Sequence, residues 1–166
     1  MARTTDFSVL TALKGRSILR LTDLSAAEIT ALLSLARTLK ADYAAFRGAL
    51  AQRALVMLFE KPSLRTRVSF EIGFQKLGGC VTFLDHRNEL IGAREPVGDY
   101  GRNLERWCDC IVARVMKQST ITGLAAAAGI PVVNALSDLY HPCQALADVM
   151  TIEERFGSCE GLRVAY

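Results

Sequence analysis

The chain has 166 residues, 51% of them hydrophobic and 22% charged, with a formal charge of +3, a balance that fits one globular domain able to bury a core. So small a charge, with acids interspersed among the bases, argues against a nucleic-acid surface, and no apolar run reaches the length of a membrane span. The amino terminus lacks the basic-then-apolar layout of a secretion signal, so a cytoplasmic setting is expected, and five cysteines without a C-x-x-C pair suggest neither a disulfide framework nor a zinc site.

Met1 to Leu10 is polar and unpatterned and reads as a loose arm. Asp23-Leu24-Ser25 then precedes a helical pattern from Ala26 to Leu39, capped by Ser25 or Asp23, whose apolar stripe is a core face. The apolar run Ala54–Phe59 predicts a buried parallel strand. A polar, basic turn follows it, and a helix is expected over Val68–Leu77, stopped by Gly78-Gly79. Cys80–Leu84 reads as the second strand of a β-α-β unit, and Asp85–Gly98 as a mobile loop of functional length. A helix over Asp99–Trp107, a strand over Asp109–Val115, a helix over Ser119–Ala128 and a strand over Pro131–Ala135 come next. The last expected elements are a helix from Gln144 to Glu154 and the start of a further strand over Gly161–Tyr166. This alternation predicts an α/β fold, a three-layer sandwich with a central parallel sheet flanked by helices.

Three strand-to-helix junctions carry polar residues suited to chemistry. After the first strand, Ser63, Arg65, Thr66 and Arg67 stand at a helix start, where free N–H groups and the positive end of the dipole favour an anion such as phosphate. Alone, two arginines beside a helix cap are most simply surface charges. Arg114 ends a later strand, at the sheet edge where open α/β sheets hold their ligands. His141 and Gln144 bracket a proline-containing helix start and can face one pocket. Cys143 is read as a packing residue, and His86, in the loop, is given no role.

Taken together, Phe59-Glu60-Lys61-Pro62-Ser63-Leu64-Arg65-Thr66-Arg67, Ala113-Arg114-Val115, and Ser137-Asp138-Leu139-Tyr140-His141-Pro142-Cys143-Gln144 with Asp148 resemble the aspartate and ornithine carbamoyltransferase family. The resemblance is to its amino-terminal, carbamoyl-phosphate-binding domain, spanning residues 1–166, with the family's second, ornithine-binding domain absent. It implies that Ser63, Leu64, Arg65, Thr66, Arg114, His141 and Gln144 bind carbamoyl phosphate, with Arg65, Thr66, Arg114 and His141 catalytic. In family terms, Leu64 stands where threonine is common, leaving a backbone N–H to serve the phosphate, and Leu90 replaces a common glutamine. The motif details favour L-ornithine as the acceptor, with transfer to its side-chain amine giving citrulline and phosphate. The implied assembly is a homotrimer or a multiple of trimers, with no metal, no organic cofactor, no nucleic acid and no membrane. The isolated piece is expected to bind but to be poorly active. The alternatives are an aspartate carbamoyltransferase and a non-catalytic carbamoyl-phosphate-binding or trimerisation module.

Overall fold

A computed structural model describes residues 7–165. Its frame is a four-stranded, all-parallel sheet in the order β2-β1-β3-β4, where β1 is Ala54–Phe59, β2 Cys80–Asp85, β3 Cys110–Arg114 and β4 Val132–Leu136. The five helices are α1 (Ala26–Ala41), α2 (Leu64–Lys76), α3 (Val97–Leu104), α4 (Gln118–Ala127) and α5 (Pro142–Phe156). Beyond the outer side of β4, Ile18 makes an isolated parallel bridge to Val133, its N–H donating to the carbonyl of Val132 at 2.9 Å.

β1 is apolar without alternation because helices cover both faces of the sheet. Leu55, Met57 and Phe59 point to one side and meet Val112, Ala135 and the α2 rings Phe70 and Phe74. Val56 and Leu58 point to the other and join Ile111, Ala113, Val115, Leu104 of α3, and Ile121 and Leu124 of α4. Side chains buried this completely stabilise the fold by roughly 1.5–3 kcal/mol each relative to exposure. Thus α2 forms one outer layer and α3 with α4 the other, the three-layer arrangement expected. Ion pairs Arg37–Glu153 and Lys40–Glu154, the latter at 2.7 Å, tie α1 to α5.

The topology fixes where a ligand can sit. From β1 the chain steps outward to β2, then returns past β1 to β3 and continues away to β4. The connections leaving β1 and β3 therefore diverge, opening a crevice at the carboxyl ends of these adjacent strands.

Several boundaries differ from the sequence pattern, each for a local reason. Ser63 caps α2, so the helix begins at Leu64 rather than Val68 and takes the polar turn residues into its first turn. Pro142 occupies the first turn of α5, which starts two residues before Gln144. α3 runs from Val97 to Leu104, and the irregular segment before it covers residues 86–96. β4 extends to Leu136 because a register shift at Ala113/Arg114 brings Leu136 opposite Arg114. Residues 7–10, read as part of a loose arm, belong to a 3-10 helix over Phe7–Leu13; residues 1–6 lie outside the described residues. No strand forms over residues 161–165, since nothing described pairs with them, and Tyr166 lies outside the described residues. Among the described residues no helix is long and apolar enough to cross a membrane.

Candidate functional site

The turn after β1 is shaped by Ser63, whose backbone is extended and whose hydroxyl accepts a hydrogen bond from the Thr66 N–H at 3.3 Å. The first N–H groups of α2 have no intrahelical partner and point out of the helix start. Arg114 leaves the sheet at the end of β3, where the register shift against β4 re-aims the chain. Its carbonyl accepts from the Glu60 N–H at 2.8 Å, locking the ends of β1 and β3 together. His141 stands at the N-cap of α5, and the amide of Gln144 donates to Asp148 Oδ1 at 2.8 Å across one helical turn.

These segments converge on a cavity of about 500 Å³ lined by Pro62, Ser63, Leu64, Arg65, Thr66, Arg114, Leu136, His141 and Gln144. All seven residues expected to bind ligand are among the nine. A cavity of similar volume, about 510 Å³, lies against α1, lined by Leu10, Thr11, Lys14, Leu35, Thr38 and Phe46. Size does not separate the two, but only the first gathers two arginines, a histidine and a helix start.

Buried polar atoms sharpen the case. Among the described residues, Arg114 Nε and His141 Nδ1 are buried without a hydrogen-bond partner. Such atoms cost free energy unless a ligand or water satisfies them. Burial pushes the pKa of Arg114 down, and an arginine so placed still keeps its charge. For His141, burial first and the charge of Arg114 second push the pKa below its ordinary value, opposed by Asp148. A neutral imidazole beside a fixed guanidinium can donate one N–H to a carbonyl oxygen without adding a second full charge.

Arg67 does not join the site. It lies one residue past Thr66 on the helix, which turns it away, and it stacks over the Phe83 ring at 3.8 Å and pairs with Glu71 at 3.1 Å. Burial pushes the Cys143 thiol up to about 11, and its sulfur contacts the Asn134 carbonyl at 3.6 Å, so it is a protonated packing group. His86 sits edge-on to Tyr100 and bonds the Glu89 carbonyl at 3.1 Å, outside the cavity lining. Among the described residues no group of three or more His, Cys, Asp or Glu side chains could hold a metal ion.

Sequence reasoning missed the supports of the site. Asn134 is fully buried; its amide donates to the Leu19 carbonyl at 2.9 Å, and its oxygen accepts from the Leu136 N–H at 2.9 Å. Ser137 donates to Gln118 at 2.6 Å and accepts from the Tyr140 N–H at 3.0 Å, fixing the turn that delivers His141. Glu60, within the recognised motif, is buried as well. The available signal was an asparagine inside an apolar strand and an acid directly after one.

Comparison with known proteins bears on the family. Residues 16–154 match the family model described as aspartate/ornithine carbamoyltransferase, carbamoyl-P binding domain. An ornithine carbamoyltransferase of Vibrio sp. (strain 2693) is 49% identical over 150 residues, covering 90% of this chain and 50% of the relative. One from Thermus thermophilus is 50% identical over 140 residues, covering 84% and 46%. The solved ornithine carbamoyltransferase from Pyrococcus furiosus superposes with a TM-score of 0.86 at 41% identity, over 90% of this chain and 49% of that one. The chain thus spans about half the length of the relatives it matches. With this fold, these junctions and a family match over most of its length, the chain belongs to the aspartate/ornithine carbamoyltransferase family.

Proposed function

We propose that this chain is the carbamoyl-phosphate-binding domain of an ornithine carbamoyltransferase, with residues 1–166 as that domain. The observation that carries the reading is the cavity where the start of α2, the end of β3 and the start of α5 meet, lined by Arg65, Arg114 and His141. The relatives at about 49% identity are named ornithine carbamoyltransferases, which favours ornithine over aspartate as acceptor and catalysis over a purely binding role.

In this reading the phosphate rests on the Ser63 hydroxyl, the N–H groups of Leu64 and Arg65 in the first turn of α2, and the guanidinium of Arg65, whose fork matches two phosphate oxygens. Gln144 and His141 hold the carbamoyl group. The neutral side-chain amine of L-ornithine attacks the carbamoyl carbon, a C–N bond forms, and negative charge gathers on the former carbonyl oxygen. Thr66, Arg114 and His141 donate to that oxyanion, stabilising it more than the starting carbonyl. The C–O bond to phosphate then breaks with its electrons leaving on phosphate, the departing phosphate takes the proton lost by the attacking nitrogen, and citrulline and hydrogen phosphate result. Groups holding ornithine belong to the family's second domain, and positioning by them is a large part of the rate. The working assembly is a homotrimer or a multiple of it, in the cytoplasm.

Calorimetric titration with carbamoyl phosphate, with inorganic phosphate as control, tests the reading. Wild type is expected to bind saturably, and Arg65→Ala to bind about tenfold or more weakly, the loss typical of a charge-assisted bidentate contact. A folded wild type that shows no saturable binding would sink it.

A further inference from the structure

Glu60 is 4% exposed and, among the described residues, has no cation within ion-pair distance. A buried carboxylate is costly unless its oxygens are filled. Here both are: Oε1 accepts from the Ile91 N–H at 2.9 Å and Oε2 from the Met116 N–H at 2.6 Å. The residue's own N–H donates to the Arg114 carbonyl at 2.8 Å. Met116 lies two residues past Arg114, and Ile91 lies in the middle of the 86–96 segment. Among the described residues, the Ile91 bond is the only hydrogen bond joining residues 88–96 to the chain leaving β1.

We infer that Glu60 is a positioning residue whose carboxylate clasps the segment between β2 and α3 to the exit of β3 and so holds Arg114 aimed into the cavity. This rests on the proposed function, because Arg114 is one of the groups assigned to the carbamoyl carbonyl. Glu60 grips the Arg114 peptide from both sides, by its main chain at residue 114 and by its side chain at residue 116. Between them, the Val115 N–H donates to the Leu136 carbonyl at 2.9 Å. Three consecutive residues at the exit of β3 are thereby fixed, two of them by Glu60.

The arrangement requires a carboxylate. Two N–H groups arrive at two different oxygens, and a carboxylate offers an acceptor at each, where an amide offers one. In Glu60→Gln one N–H would face an amide NH₂, losing a bond and setting donor against donor, with the side-chain shape retained. Glu60→Asp keeps both acceptors on a stem one methylene shorter. Ile91 also anchors its segment through a buried side chain, so the core does not depend on the clasp alone.

The experiment compares wild type, Glu60→Gln and Glu60→Asp by amide exchange, by the Arg114 Nε–H resonance, and by titration with carbamoyl phosphate, with Arg65→Ala as control. For Glu60→Gln, exchange at Ile91 or Met116 is expected to quicken at least tenfold while Val56 and Ile111 stay protected. The Arg114 resonance should move and affinity fall about tenfold, the usual cost of a lost bond to a charged group. Glu60→Asp should lie nearer wild type in all three. Unchanged exchange and an unmoved Arg114 signal in Glu60→Gln would overturn the clasp, as would wild-type affinity despite faster exchange. Faster exchange across the whole sheet in both variants would make Glu60 a stability residue only and overturn the positioning role. If wild type fails to bind carbamoyl phosphate, the proposed function falls, and the exchange and Arg114 signals still decide for or against the clasp.

Discussion

His141 shows how two neighbours of opposite charge set one residue's protonation. Burial and Arg114 lower its pKa, and Asp148 raises it. Removing Arg114's charge as Arg114→Gln should therefore move the His141 titration up, and Asp148→Asn should move it down, both read from imidazole proton shifts. Equal shifts of the same sign would contradict this electrostatic account. The sign for stability follows from linkage: between the lowered native value and the ordinary value near 6.5, the unfolded chain binds more protons than the native one. The stability from this group is thus full above about pH 6.5 and is lost as pH falls through the native value. Arg114→Gln should narrow that window, and urea midpoints measured across pH 5 to 7.5 would report it.

At the scale of the element, α1 shows a cap that patterning left open between two residues. Ser25 takes the role, accepting from the Glu28 N–H at 3.2 Å while Glu28 returns a bond to the Ser25 N–H at 2.7 Å. Asp23 is engaged elsewhere, with Arg20 at 2.6 Å. Ser25→Ala should cost about 1 kcal/mol of unfolding free energy, measured by urea titration, with carbamoyl phosphate affinity unchanged. A loss of affinity would mean that α1 communicates with the site. β1 was legible because a parallel strand covered on both faces must be apolar throughout, as Leu55 to Phe59 are. The candidate site was legible because its residues cluster at strand ends, and the resemblance named each one. The start of α2 was legible only in part: Leu-Arg-Thr-Arg has no helical stripe, so the apolar pattern begins at Val68, while Ser63 as a helix cap pointed to the earlier start that its hydroxyl on the Thr66 N–H marks. Once the start is known, the helical turn per residue also explains why Thr66 faces the cavity and Arg67 the Phe83 ring. Glu60 and Asn134 escaped because their value lies in main-chain partners distant in sequence, which no local pattern records.

For the whole molecule, α2 has two apolar faces where a helix on a monomeric domain needs one. Phe70 and Phe74 pack on the sheet. On another side Leu64, Val68 and Ile72, four residues apart, are 79%, 47% and 44% exposed. Residues at this spacing form a stripe along the helix, and an exposed apolar stripe marks a contact surface. Leu64 also lines the candidate site, so whatever covers the stripe comes to the mouth of that cavity. The proposed homotrimer would cover the stripe with a second copy of the chain, related by a three-fold axis, which is the assembly that the family resemblance implies. Light scattering on wild type should therefore give three times the chain mass, or a multiple of it, falling towards one chain on dilution. Val68→Glu and Ile72→Glu place a carboxylate in the stripe at sites outside the cavity lining, and should shift the equilibrium towards monomer while leaving unfolding cooperative. Should wild type remain a monomer at every concentration, or should both variants keep the wild-type mass, self-association through α2 is ruled out and the stripe must be covered by a different partner.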